Sequence, residues 1–296
     1  VTDLPSIVVV GGQTASGKSA LALALALEHG GEIVGADSRQ LYRGLPIASA
    51  GPTADERALV PHHLYGSFDP VTTTLTAGAF VDAVDAAVSD ILARGKRAII
   101  VGGTGLYLRA FRLGLSDEVP GDPLVRATLQ REFEVVGLGP LVARLRAIDD
   151  VAAGRMDLQN PVRVLRALEI VACGGALHDL DITRLLAGPP RPLAATALFL
   201  LVDPPQSQVE QAIIARTRRM FQAGIVDEAL ALQATLPADH ALLLTMGVQE
   251  AIEVGAGRIS VDDAVAAVVI RTRQYARRQR TWFRKEPWWT RPPGTD

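Results

Sequence analysis

Cysteine is almost missing from this sequence. Of 296 residues only Cys173 is one, which excludes an intrachain disulfide and a cysteine-based zinc cluster and points to a reducing compartment. Lysine is nearly as scarce, 3 residues against 27 arginines, so a lysine at a special position departs from the chain's own habit. No run of about 18 uncharged apolar residues occurs, which argues against a membrane-spanning helix. The opening residues lack the basic start and the cleavage site of a secretory signal, so the expectation is a cytoplasmic protein. Disorder and collagen-like repeats are excluded as well: 48% of residues are hydrophobic and 21% charged, and the 27 glycines and 18 prolines follow no period.

What is present has the length of one large domain or two modest ones. Ile7 to Val10 is a β-branched run ending in Gly11-Gly12, which reads as a buried strand entering a tight turn. Ser19 to Leu27 alternates Ala and Leu; without a β-branched residue, propensity makes it a buried helix rather than a strand. Strands are expected at Glu32 to Ala36, Ala98 to Val101 and Thr196 to Val202, with an amphipathic helix from Ala77 to Arg94 stopped by Gly95. Strands alternating with helices imply a parallel α/β sheet. Between Asp117 and Pro192 the pattern turns helical, with segments at Pro123 to Val135, Leu141 to Ile148 and Pro161 to Val171. The fold expected is therefore α/β, a P-loop NTPase-like parallel sheet core formed by 1–116 and 193–296 with an inserted all-helical domain at 117–192. Its exit, Gly188 to Pro192, has linker composition. Helices at Glu210 to Ala223, Val226 to Thr235 and Val261 to Arg284 finish the chain.

Gly12-Gln13-Thr14-Ala15-Ser16-Gly17-Lys18-Ser19 matches Gly-x-x-x-x-Gly-Lys-Ser/Thr between an expected strand and an expected helix. Its backbone N–H groups can wrap a phosphate, the helix N-terminus adds positive potential, Lys18 supplies a point charge and the Ser19 hydroxyl can hold Mg²⁺. A kinase would use such a loop for ATP, and another transferase would hold a diphosphate leaving group in it. Ligands in open parallel sheets sit at the carboxyl ends of strands, where Asp37 and Thr104 both fall. Asp37 suits a Mg²⁺ ligand, a general base or a turn-forming aspartate, and Thr104 a donor to phosphate or an ordinary turn residue. The His62-His63 pair lacks the partners of a metal site and suits packing or hydrogen bonding.

The net charge of −2 hides an asymmetry. From Arg271 to Lys285 there are seven cations and no acid, which leaves the rest of the chain at −9. Arg273, Arg277, Arg280 and Arg284 share a stripe by their three- and four-residue spacing, with Trp282 and Phe283 among them. This is a solvated helix face or the footprint of a polyanion.

The phosphate loop, Asp37-Ser38-Arg39-Gln40-Leu41-Tyr42-Arg43-Gly44, Pro61-His62-His63-Leu64, Gly102-Gly103-Thr104-Gly105-Leu106-Tyr107, Arg166-Ala167-Leu168-Glu169 and Arg277-Arg278-Gln279-Arg280-Thr281-Trp282-Phe283 together resemble the tRNA dimethylallyltransferases, also called tRNA isopentenyltransferases. They occur in that family's order and span nearly the whole chain. The resemblance implies transfer of a dimethylallyl group from its diphosphate to N6 of the adenosine immediately 3′ of the anticodon. On matching positions, Asp37 would be the general base and Thr104 with Arg216 would stabilise the diphosphate. Thr14, Ala15, Ser16, Gly17, Lys18 and Ser19 would cradle it, with Mg²⁺ at Ser19. RNA contacts would come from Asp37, Ser38, Arg39 and Gln40, from Gln159, Asn160, Pro161, Val162 and Arg163, and from Arg273, Arg277, Gln279 and Arg280. The partners implied are the anticodon stem-loop of tRNA and dimethylallyl diphosphate, with no membrane, the protein acting as a monomer. Departures from the family pattern stand at Gly51, Leu244 and Val248 and bear on RNA contacts. Other readings are an adenylate isopentenyltransferase, disfavoured by Ser38 and the long insertion, a small-molecule P-loop kinase, and a non-catalytic RNA-binding module.

Overall fold

A computed structural model describes residues 4–73, 75–115, 121–177 and 190–292. They group into two compact units, one formed by residues 1–112 with 190–296 and the other by 113–189. The linker expected at Gly188 to Pro192 begins among residues outside the described set.

In the first unit the chain runs β1 (Ile7–Gly12), α1 (Lys18–His29), β2 (Gly31–Gly35), α2 (Ala54–Leu59), β3 (His62–His63), α3 (Ala77–Ala93), β4 (Arg97–Gly102) and α4 (Gly105–Leu113). The second unit holds α5 (Pro123–Val136), α6 (Leu138–Ile148), α7 (Asp150–Gly154) and α8 (Pro161–Ala172). The chain then returns to the first unit with α9 (Pro192–Ala195), β5 (Leu198–Val202), α10 (Gln206–Gln222), α11 (Ile225–Thr235), α12 (Val248–Gly255) and α13 (Val261–Arg284).

The five strands form one parallel sheet in the order β3-β2-β4-β1-β5. β1 is central, in register with β4 through Ile7 opposite Ala98 and with β5 through Val8 opposite Leu198. Both faces of the sheet are covered, which is why β1 reads as an unbroken apolar run. Val8 and Val10 point to the side of α1, packing with Ala22 and Ala26, while Ile7 and Val9 point to a core with Phe80, Val84, Phe111 and Phe283. The Ala/Leu alternation in α1 is helical because Ala22 and Ala26, one turn apart, let the helix lie close on the sheet. Each fully buried large apolar side chain here contributes about 1.5–3 kcal/mol.

The chain's last described residues lie on the far side of β5. Thr290 N–H donates to the Phe199 carbonyl at 2.9 Å and Leu201 N–H to the Thr290 carbonyl at 2.8 Å. Trp289 packs so tightly over Gly11 that a Cβ there would collide with its ring.

The second unit has its own core of Leu129, Leu141, Leu145, Val164 and Leu168. Its buried Glu169 is held by Arg126 at 2.9 Å and Arg166 at 2.8 Å. Six elements were not foreseen from sequence: α2, α4, α7, α9, α12 and the two-residue β3, of which α2, α7 and α9 have six residues or fewer. β3 is too short for any periodicity, and α4 and α12 have nine and eight residues, too few turns to show a stripe. The strand expected from Thr196 starts two residues later, after the turn that ends α9, and α10 begins directly behind Pro205 rather than at Glu210.

Candidate active site

β1, β2 and β4 end side by side, and each delivers one loop to the same edge. β1 runs into the phosphate loop, whose bend needs left-handed backbone: Gly17 sits at φ 90° as the N-cap of α1, and Ala15 carries a Cβ at φ 59°. Lys18 opens the helix and its Nζ donates to the Gln13 carbonyl at 3.3 Å. β2 leads, two residues past its end, to Asp37, whose Oδ1 accepts the Arg39 N–H at 3.0 Å in a tight local turn. β4 ends in Gly102-Gly103-Thr104. A Cβ at Gly103 would stand 3.5 Å from Asp37 Oδ2 and displace the amide end of Gln279.

Hydrogen bonds fix these loops to one another. Thr104 Oγ1 accepts the Ser38 N–H at 2.9 Å, which leaves the hydroxyl proton free to donate elsewhere. Arg216, from α10, donates through Nη1 to Thr14 Oγ1 at 2.7 Å. Thr14, Lys18, Ser19, Asp37 and Arg216 all line a cleft of about 820 Å³. Thr104 is not among the residues that line it, but its hydroxyl is bonded to Ser38, which is. Burial pushes the Lys18 ammonium down to about 8, an effect that Asp37 opposes and Arg216 reinforces. Arg216 is also lowered by desolvation, with Asp37 acting the other way.

The residues expected at RNA contacts fall into different environments. Ser38, Arg39 and Gln40 line the cleft, and Gln40 Nε2 donates to the carbonyls of Ser49 at 3.0 Å and Ala50 at 2.9 Å. This braces the loop from Ile47 to Gly51, whose N–H groups at Ile47 and Ala48 are each held by a Glu228 oxygen at 2.7 Å. In the second unit Gln159, Val162 and Arg163 are exposed at the start of α8, while Asn160 Oδ1 caps the helix by accepting the Val162 N–H at 3.1 Å with Pro161 behind it.

On α13 the stripe and the cleft-facing side are different faces. The face turned to the cleft carries Arg271, Gln274, Tyr275 and Arg278, not Arg273, Arg277, Arg280 and Arg284. Arg280 and Arg284 bind the two oxygens of Asp203 at 2.7 and 2.8 Å, and Arg277 lies 3.8 Å from Glu210. The acids missing from the local sequence are thus supplied from β5's end and α10. Trp282 is half-buried against Arg109 and Phe283 belongs to the core, so Phe283 is not available as an RNA-stacking group. Gln279, also expected at an RNA contact, is instead buried, with both ends of its amide on backbone groups. Tyr275 and Arg278 were missed; the buried rail of Val268, Thr272, Ala276, Gln279 and Phe283 sets the phase of the helix that turns them to the cleft. The histidine pair holds the sheet edge: His63 Nε2 lies 2.6 Å from Glu32 Oε2, and Glu32, gripped also by Arg94, is drawn down to about 2, chiefly by that arginine.

A central parallel strand that feeds a Gly-x-x-x-x-Gly-Lys-Ser loop, with a carboxylate and a hydroxyl at neighbouring strand ends, defines a P-loop-type α/β protein. Comparison gives the family. The model described as IPP transferase matches residues 40–286, and the chain belongs to the IPP transferase family. It is 43% identical over 289 residues to a tRNA dimethylallyltransferase of Anaeromyxobacter sp. (strain K), covering 97% of this chain and 93% of that protein. The fold is similar to that of the full-length tRNA isopentenylpyrophosphate transferase from Bacillus halodurans, with TM-score 0.66 and 29% identity over 97% of this chain and 89% of the other. It is also similar to a eukaryotic dimethylallyltransferase acting on tRNA, with TM-score 0.75 and 25% identity over 94% of this chain and 69% of that one.

Proposed function

We propose that this protein transfers the dimethylallyl group of dimethylallyl diphosphate to N6 of the adenosine immediately 3′ of the anticodon. Transfer of a dimethylallyl group to tRNA is the activity of relatives matched over nearly the whole chain, and it is the activity of this chain too. The observation that carries the finer reading is the meeting of Asp37 with Lys18 and Arg216 in one cleft. An exocyclic amine is a poor nucleophile, and an aspartate facing it makes it a better one.

In the reaction N6 attacks C1 of the dimethylallyl group, the C1–O bond breaks, and diphosphate leaves with the bonding electrons. Asp37 takes the N6 proton through Oδ2, since Oδ1 is occupied by Arg39 N–H. Lys18, Arg216 and the N–H groups of the loop receive the charge that develops on the diphosphate, and the Thr104 hydroxyl donates to it. Mg²⁺ fits the donor set: the Ser19 hydroxyl lines the cleft beside Asp37, and magnesium takes few protein oxygens when substrate phosphates supply the rest. Bound there it would neutralise diphosphate charge.

RNA contacts are proposed from Asp37, Ser38, Arg39 and Gln40 at the cleft and from the exposed start of α8. On α13, Arg271 and Arg278 join Arg273, Arg277 and Arg280 as candidate phosphate contacts, and Gln279 leaves the set. No helix among the described residues is long and apolar enough to cross a membrane, and a tRNA substrate fits a cytoplasmic monomer. The test is to incubate the protein with dimethylallyl diphosphate and unmodified tRNA and digest the product for mass spectrometry. A mass gain of one dimethylallyl group on the adenosine 3′ of the anticodon is expected; phosphorylation of a small molecule without prenyl transfer would overturn the reading.

A further inference from the structure

Gln279 stands in the middle of the arginine-rich stretch, yet it is only 6% exposed. Its Oε1 accepts the backbone N–H of Thr14 at 2.8 Å, and its Nε2 donates to the carbonyl of Gly103 at 2.8 Å. Thr14 lies in the loop after β1 and Gly103 in the turn after β4, and these two strands are neighbours in the sheet. A side-chain amide can satisfy an N–H on one loop and a C=O on the other at once, which neither a carboxylate nor an apolar chain can do. The network continues outward on both sides. Thr14 Oγ1 accepts Arg216, and Thr104, next to Gly103, accepts Ser38 N–H beside Asp37. One buried amide therefore joins the loop that carries Lys18 to the turn that carries Thr104 and backs onto Asp37.

We propose that Gln279 is a positioning residue for prenyl transfer: its amide sets the spacing between the phosphate loop and the Asp37–Thr104 edge, and it makes no contact with RNA. The inference rests on the roles given above to Asp37 and Lys18. The amine nitrogen, C1 and the leaving oxygen must stand in line with the base in reach of the N6 proton, and a displacement of about 1 Å at a reacting centre costs about 10²-fold in rate. Because the Thr14 N–H is taken by Gln279, the anion-binding nest runs from Ala15 to Ser19.

Two variants and a control test this. Gln279→Glu keeps an acceptor for Thr14 but sets a carboxylate oxygen against the Gly103 carbonyl, Gln279→Met keeps the volume and drops both bonds, and Asp37→Ala is the control. For each, steady-state kinetics with tRNA and dimethylallyl diphosphate are measured beside tRNA affinity and Tm. The expected result is a fall in kcat of about 10–100-fold, larger for Glu than for Met, with tRNA affinity within about twofold of wild type. Weaker tRNA binding with unchanged kcat at saturation would make Gln279 an RNA contact and overturn the proposal. A lowered Tm with kcat within about twofold would reduce it to a stability role and overturn it equally. Should the Glu variant not fold, the Met variant decides on the same criteria. Wild-type turnover in Asp37→Ala would instead sink the active-site reading, whatever the Gln279 variants do.

Discussion

The strand-end edge of the core and the start of α8 treat functional side chains in opposite ways. At the edge several of the groups are held by another: Asp37 by Arg39 N–H, Thr104 by Ser38, Thr14 by Arg216 and Gln279. At α8 the cap fixes only the backbone, and Gln159, Val162 and Arg163 stand in solvent. Bond-making chemistry needs geometry held to about 0.5 Å. Contact with a flexible phosphate chain needs charge and reach more than fixed geometry. The first region is thus expected to govern kcat and the second affinity.

The sharpest attempt to break that division is Asp37→Ala. Loss of a general base costs about 10²–10⁴ in kcat, while tRNA binding and fold are retained. A variant that loses tRNA affinity in proportion to activity would erase the distinction. Next comes Lys18→Ala, expected to cost about 10² by analogy with removing one charge-stabilising donor. The lysine also gives a pH signature. With its ammonium pushed down to about 8, the free protein loses the charged form as pH rises through that value, so kcat/KM for dimethylallyl diphosphate should fall above it. The same limb should be missing from the profile of Lys18→Ala.

Smaller effects separate cations from one another. Arg163→Gln and Arg278→Gln should each weaken tRNA binding a few-fold and lower the slope of log K against log salt by up to about one, at unchanged kcat. Arg280→Gln leaves Asp203 with Arg284 alone and should cost about 1 kcal/mol of stability, read as Tm, with a smaller drop in slope than at Arg278 because Asp203 already shares its charge. A full salt-slope effect at Arg280 would show that RNA displaces Asp203. Smallest in function is Asn160→Ala: loss of the cap should cost about 1 kcal/mol in stability and leave turnover at saturating tRNA intact.

How much of this was legible beforehand depended on whether the cause was local. The phosphate loop, Asp37 and the Gly102-Gly103-Thr104 turn declare themselves because backbone conformation and close approach restrict which residues can stand there. Helices α5, α6 and α8 of the second unit were readable as helical segments, and the structure adds the caps Asp122 and Asn160 with Pro123 and Pro161 behind them. The face of α13 was not. Its inward rail includes Thr272 and Gln279, two polar residues that hide the apolar period, and its neutralising acids Asp203, Glu210 and Glu250 come from other elements. The bracing of the Ile47 to Gly51 loop by Glu228 spans about 180 residues and has no local pattern at all.

The placement of β1 has a consequence for how the chain is made. Its neighbours are β4 and β5, so the strand that leads into the phosphate loop gains its second partner only after Val202 has been synthesised. Gln279 reaches Thr14 later still, and Trp289, ten residues further along, closes over Gly11. The helical insertion, with a core drawn entirely from its own short stretch, can fold on the ribosome while the flanking sheet waits unfinished. A chain that stops before Gln279 therefore lacks the amide that ties the phosphate loop to the Gly103 turn.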